Sequence, residues 1–361
     1  MIGDCVNCKS HICAGRGISC KKINQDEVID LYTDEEKKIM KAAVAATLML
    51  SMTACGSSDG TSDANTKVGI IQLTEHPALD ASYEGFMDAL NEAGYTEENT
   101  SFDYQNASND LSNCDTIADK LVSDGNDLIY AIATPAAQSV AGKTSDIPIV
   151  VSAVTDPAES GLVDSNEEPG TNVTGASDLT PVSEQIDLLK QLLPDAKKIA
   201  IMYCSSEDNS ILQAELAQEA AQEAGLEYEI ATVSDSNMIQ QVTESLIGKV
   251  DAIYIPTDNL LAEGMSTVAQ VANANNLPCI VGEEGMTENG GLGTYGIDYY
   301  ELGKLAGQQA VAILNGEKTA AETPIAYLPA EQCTLTINKG VADELGITIP
   351  ADLLESATVI E

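Results

Sequence analysis

The alternation of apolar runs and amphipathic stretches is written twice along this chain, the two copies about 131 residues apart. Val68 to Gln72 (VGIIQ) is answered by Ile199 to Tyr203 (IAIMY), and Asn91-Glu92-Ala93-Gly94 by Gln222-Glu223-Ala224-Gly225. Asp127 to Tyr130 is answered by Asp251 to Tyr254, and Ile147-Pro148-Ile149-Val150-Val151 by Leu277-Pro278-Cys279-Ile280-Val281. The strand-like runs are continuously apolar, as strands of a parallel sheet covered on both faces are. Between them, Tyr83, Phe86, Leu90 and Ala93 recur at spacings of three and four, which predicts a helix that Gly94 stops. Strands at 68–73, 102–105, 128–133 and 147–154 therefore alternate with helices, the last of them at 111–123 and 135–143. A β-α-β rhythm of this kind gives a parallel sheet with right-handed crossovers.

Between the copies, Asn172 to Asp178 reads as a short strand leading into a helix over 181–193. After the second copy, Gly293 to Asp298 reads as another crossing, into a helix over 300–314. A third crossing near Gln332 to Ile337 returns the chain to a C-terminal helix at 339–345. The fold class that follows is α/β: two similar Rossmann-like lobes with parallel sheets, joined by a three-segment hinge. Residues 67–178 and 297–330 form lobe 1, and 181–292 and 333–361 form lobe 2. Such lobes leave a cleft at the carboxyl ends of their strands, where a ligand is to be sought.

Composition narrows the partners. The chain carries 57 acidic and 17 basic residues; beyond residue 54 there are 50 acids, ten lysines and no arginine. Such a body repels phosphate backbones, so nucleic-acid binding is not expected. An apolar run at 42–51, too short to span a bilayer, follows Lys37, Lys38 and Lys41 and precedes Met52-Thr53-Ala54-Cys55, which marks 37–54 as a signal peptide. Small residues before Cys55 and a Ser/Gly/Asp/Asn-rich stretch after it resemble a bacterial lipoprotein cleavage box, with Cys55 lipidated and 55–66 a flexible linker. Residues 1–36 hold Cys5, Cys8, Cys13, Cys20 and His11, readable as a small zinc knuckle or as sequence ahead of a later true start. This extension is not expected in the mature protein. Cys204 and Cys279 lie in apolar runs where a buried free thiol is ordinary.

The segments His76 to Asp80, Ala133 to Gln138, Ala153 to Pro157, Asn172 to Gly175 and Tyr295 to Tyr299 occur in the order in which they resemble the substrate-binding lipoproteins of a bacterial ABC transporter family. The resemblance covers 66–361. It implies the type I periplasmic binding protein fold and, from the better understood members, a receptor for an aromatic amino acid, tryptophan and phenylalanine among them. It also implies export, lipid anchoring on the outer face of the cell membrane, and ABC permease and ATPase subunits as partners of a monomer.

The residues just after each apolar run are the candidate ligand contacts. Thr134-Pro135-Ala136-Ala137 follows the strand at 128–133: a capping threonine, a proline suited to the first turn, and two small residues that leave amide groups open to a carboxylate. With no arginine available, Thr134, Ala136, Ala137 and Thr155 are the expected carboxylate contacts. Asp258, Glu283 and Asp298, at strand ends of lobe 2 and the second crossing, are expected to take an ammonium. Tyr83, Tyr203, Tyr295 and Tyr299 are expected to wall an aromatic side chain, with Gln72, His76 and Asn209 adding hydrogen bonds. Lobe 1 thus suits a carboxylate and lobe 2 an ammonium, the signature of a zwitterion. No catalytic residue, metal or cofactor is expected, because the body lacks a Gly-x-Gly-x-x-Gly after its first strand, a Walker loop and a Gly-x-Ser-x-Gly elbow. A ligand-sensing receptor domain of the same fold, or a binding protein for a purine, sugar or peptide, is the alternative.

Overall fold

A computed structural model of the chain describes residues 65–329 and 332–361. The signal peptide, the lipidated Cys55 with its linker and the cysteine-rich extension fall, but for the last residues of the linker, outside the described residues. Lobe 1 begins with β1 (Thr66–Gln72), α1 (Pro77–Glu92), β2 (Thr100–Asn106), α2 (Leu111–Ser123), β3 (Leu128–Ile132), α3 (Thr134–Ala141), β4 (Ile149–Val154) and β5 (Val173–Ser177). Lobe 2 follows with α4 (Val182–Leu192), β6 (Lys198–Cys204), α5 (Asp208–Glu223), β7 (Glu227–Val233), α6 (Ile239–Leu246), β8 (Ala252–Ile255), α7 (Asn259–Glu263), α8 (Met265–Ala274), β9 (Cys279–Val281), α9 (Glu284–Glu288) and β10 (Gly293–Gly296). The chain returns to lobe 1 for α10 (Tyr299–Leu314) and β11 (Ala326–Tyr327), then to lobe 2 for β12 (Thr334–Asn338), α11 (Lys339–Leu345), α12 (Ala351–Ser356) and β13 (Thr358–Ile360).

The repeat is a repeat of topology. Sheet order is β11-β5-β4-β3-β1-β2 in lobe 1 and β13-β12-β10-β9-β8-β6-β7 in lobe 2, so five strands of each share one order. Val68 pairs with Leu128 as Ile199 pairs with Ala252. All pairings are parallel except β10 with β12, where Gly293 faces Ile337. Every residue of β3, β4 and β8 is buried, which accounts for their unbroken apolar runs. Gly293–Gly296, expected in a crossing, is instead a strand of the second sheet, and the chain leaves lobe 2 only after Gly296.

Two helices of lobe 1 approach unusually closely. A Cβ on Gly85 of α1 would stand 1.9 Å from the Tyr300 carbonyl oxygen, and one on Gly303 of α10 would stand 1.9 Å from that of Ser82. Only glycine permits backbone contact at that range. Below α1, Phe86 stacks on Tyr130 with centroids 3.7 Å apart. The crossing fixes the N-terminal ends of both helices at the cleft.

Candidate ligand-binding site

The two lobes meet across the cleft. Gln138 Nε2 donates to Asp208 Oδ2 at 2.8 Å, and Gln213 Nε2 to Thr155 Oγ1 at 3.2 Å. Thr74 Oγ1 and Asn109 Nδ2 both donate to Glu263 Oε2, at 3.1 and 3.2 Å. These bonds close the lobes over a narrow cavity of about 10 Å3. His76 and Leu79 of α1, Ala153 and Tyr299 line it from lobe 1; Asn209, Thr257, Asp258, Asn259, Ala262 and Glu283 line it from lobe 2; Asp178 lines it at the hinge.

Carboxylates dominate the lining. Asp178 is 4% exposed and accepts bonds from Thr155 Oγ1 (3.1 Å) and Tyr299 Oη (2.9 Å). Asp258 caps α7 through Leu261 N (2.8 Å) and also accepts from Cys204 N (2.5 Å). Glu283 caps α9 through Gly285 N (2.7 Å) and Met286 N (2.8 Å). Behind them, buried Glu207 accepts from Asn259 Nδ2 at 2.6 Å and from Leu260 N at 3.1 Å. The lysine ion pairs among the described residues all lie elsewhere on the surface. Burial pushes the carboxyl of Asp178 up to about 6 and those of Asp258 and Glu283 up to about 7, and raises that of Glu207 as well. Desolvation is the largest cause in each case, and the hydrogen bonds these carboxyls accept act against it.

A pH dependence follows. The folded chain keeps protons on these four acids that the unfolded chain, titrating near 4, has released; stability is therefore lost as pH rises from about 4 to about 7. His76, whose buried imidazole is lowered to about 4, works in the opposite sense below its ordinary 6.5, one group against four. Ligand-free protein is expected to melt at least about 5 °C lower at pH 7.5 than at pH 5. Calorimetric scans showing a flat or rising midpoint over that interval would refute the desolvated-acid account.

The structure gathers some predicted residues and separates others. His76, Asn209, Asp258 and Glu283 line the cavity. Thr155 stands one bond behind it, holding Asp178. Gln72, fully buried at the end of β1, spends its amide nitrogen on Thr74 O and Asp80 Oδ1 (2.8 and 2.6 Å), and its Oε1 has no partner among the described residues. Thr134 is not the cap of α3: it is the first helical residue, and Ala133 occupies the cap position at φ 82°. Its buried hydroxyl has no partner among the described residues. Ala136 keeps a first-turn amide, but the Ala137 N–H is taken by Ala133 O at 3.0 Å. Ala153, at the neighbouring strand end, also has a positive φ of 52°. Two non-glycine residues in strained conformations side by side are typical of a functional edge.

Gln72, Thr134, Ala136, Ala137 and Thr155 are thus buried without lining the cavity, and further predicted contacts stand clear of it. Asp298 is exposed and caps α10 through Tyr300 N and Glu301 N. Tyr83 lies along α1 against Tyr104, centroids 4.9 Å apart, because only the first turn of that helix reaches the cleft. Tyr203 packs on the core of lobe 2. Of the four tyrosines expected to form an aromatic wall, Tyr299 alone lines the cavity, and Tyr295 packs on the core of lobe 2; the lining acid that the sequence pattern does not single out is Asp178, with Glu207 behind it. Asp178 had a visible signal, an acid ending the first crossing just as Asp298 ends the second.

Comparison with known proteins agrees with this geometry. Residues 67–360 match the family model described as ABC transporter substrate binding protein. The tyrosine-binding protein of Clostridioides difficile is 42% identical over 317 residues, covering 84% of this chain and 91% of that protein. A crystal structure of an ABC domain from Streptococcus pneumonia in complex with L-Trp is 40% identical, covers 82% of this chain and all of that one, and superposes with a TM-score of 0.80. The ligand-free, open structure of a substrate-binding protein with adhesive properties from Clostridium difficile is 41% identical over 82% of this chain and 99% of that one, yet scores only 0.63. At equal identity the closed lobes of this chain follow the liganded relative. The chain belongs to the ABC transporter substrate-binding protein family, with the type I periplasmic binding protein fold.

Proposed function

We propose that this protein captures a zwitterionic aromatic amino acid in the interlobe cavity and delivers it to the permease of an ABC importer. It acts as an extracytoplasmic receptor tethered through lipid on Cys55. The observation that carries the ligand class is the convergence of Asp178, Asp258 and Glu283 on one closed cavity whose described residues include no paired lysine or arginine. Buried carboxylates so placed favour a cationic group from the ligand, and a primary ammonium offers three donors to three acids. Asp178 is the first choice as counter-ion: its partners are two hydroxyls rather than two backbone amides, and its carboxyl is the least raised of the three. The carboxylate of the ligand goes to the Thr134 hydroxyl and the open first-turn amide of α3. Relatives named for tyrosine and solved with L-Trp support an aromatic side chain.

The test is a thermal-shift and calorimetric screen of the purified protein against the amino acids, a purine, a sugar and a dipeptide. Tyrosine, tryptophan or both are expected to raise the melting temperature, by about 5 °C or more at a hundredfold excess over Kd. A shift from the purine, sugar or dipeptide with none from an aromatic amino acid refutes the ligand class. Membrane attachment is checked by fractionating cells: Cys55→Ser should release the protein from the membrane, and its retention there would end the tether reading.

A further inference from the structure

Resting on that reading, we infer that Glu207 sets the hydrogen-bond polarity of the cavity. It orients Asn259 and Asn209 so that His76 Nδ1 and Asn209 Oδ1 face the ligand as acceptors and select an aromatic side chain carrying an O–H or N–H donor. The chain of constraint begins at a carboxyl whose two oxygens face four N–H donors, Asn259 N and Leu260 N among them. Glu207 Oε2 takes Asn259 Nδ2 at 2.6 Å and Asn209 Nδ2 at 3.3 Å. Each amide nitrogen being so committed, each amide oxygen must point the other way. Asn259 Oδ1 lies 3.5 Å from His76 Nε2, across the cleft. An oxygen facing Nε2 requires the proton on Nε2, because two lone pairs would otherwise oppose each other. Neutral imidazole then has its lone pair on Nδ1.

That lone pair is buried and has no partner among the described residues, although His76 holds the cap position of α1, where a side-chain acceptor ordinarily bonds the first-turn amides. Asn209 Oδ1 is in the same condition. His76 is 7% exposed and Asn209 5%, and both line the same cavity. The imidazole is held neutral, with burial lowering it to about 4. Two orphaned acceptors on facing sides of one buried cavity penalise a ligand that cannot donate to them, by about 10- to 100-fold in affinity. Phenylalanine is such a ligand; tyrosine and tryptophan are not.

Three measurements on the protein decide it. In the ligand-free protein, 15N NMR should find the His76 ring as the Nε2–H tautomer, and Glu207→Gln, whose own amide can donate, should move it toward the Nδ1–H form. In calorimetry, tyrosine or tryptophan should bind about 10- to 100-fold more tightly than phenylalanine. His76→Leu should reduce that ratio below about threefold, chiefly by weakening the donor-bearing ligand. His76→Asn, which keeps an acceptor at the Nδ1 position, should restore part of it. An Nδ1–H tautomer in the wild type, equal binding of phenylalanine and tyrosine, or a ratio untouched by His76→Leu overturns the inference while leaving an aromatic receptor in place. If no aromatic amino acid binds at all, the parent reading fails, and the tautomer measurement still tests the part played by Glu207.

Discussion

Asp178→Asn is expected to weaken binding of the amino acid ligand by about 100-fold or more, the equivalent of about 3 kcal/mol, without unfolding the protein. The carboxyl is 4% exposed, receives two hydroxyl donors and borders the cavity where lobe 1 hands over to lobe 2. In the liganded state its charge and the ammonium are both out of water, and removing one partner of such a pair leaves the other desolvated without compensation. In the ligand-free state the same substitution removes a charge that burial disfavours, so the apo melting temperature at pH 7.5 should hold or rise. Asparagine also places a donor where one hydroxyl already donates, which turns the Thr155 or Tyr299 hydroxyl away and tempers that gain. Affinity and stability should thus move in opposite directions, which distinguishes a counter-ion from a residue needed only for folding. Isothermal calorimetry beside thermal melts checks both; an affinity within about threefold of wild type removes Asp178 from the counter-ion role. Asp258→Asn is a useful contrast, since that carboxylate caps α7 and its loss should lower stability by about 1 kcal/mol as well.

The fold was legible because its logic is one of periodicity. Fully buried strands must be apolar throughout, and β3 and β8 are, so the duplicated strand order could be read from the runs alone. The site was legible only as far as strand ends could be counted. Asp258 and Glu283 follow β8 and β9, and the same count led to Thr134 after β3. What the count misses is direction and rank. Tyr83 and Tyr203 sit on the right elements but face a flanking strand and a core, a matter of which turn of a helix meets the cleft. Asp178 and Asp298 end matching crossings; one is buried against two hydroxyls and the other is an exposed helix cap. Nothing in the local text separates them, because the difference is made by the partners brought in from elsewhere. Glu207 is less visible still: it acts on the cavity only through Asn209 and Asn259, residues positioned by two different helices.

The substitution with the largest structural effect lies away from the cavity. Gly303→Val is expected to destabilise the protein by about 3 kcal/mol or more, lowering the melting temperature by about 6 °C or more, and to weaken ligand binding in the fraction that folds. A Cβ at Gly303 meets Ser82 O at 1.9 Å, Ser82 C at 2.6 Å and Ser82 Cα at 2.8 Å, all backbone atoms that cannot rotate aside. Relief requires α10 to move off α1, and the cost does not stop at that crossing. Ser82 belongs to a buried triad in which its hydroxyl bonds Ser152 Oγ at 2.7 Å and Tyr130 Oη at 3.1 Å, joining α1 to β3 and β4 beneath the strand end at Ala153. The first residue of α10 is Tyr299, which bonds Asp178, and the residue capping α1 is His76, so parting the helices moves two walls of the cavity relative to each other. A displacement of one ångström is enough to break a hydrogen bond of 2.9 Å. Gly225→Ala supplies the control: that glycine has φ 71° and open space around it, so alanine should cost only about 1 kcal/mol of backbone strain and leave affinity unchanged. Equal melting losses for the two variants, or a Gly303→Val protein of wild-type affinity, would mean that the close crossing of α1 and α10 is not what holds His76 and Tyr299 on the cleft.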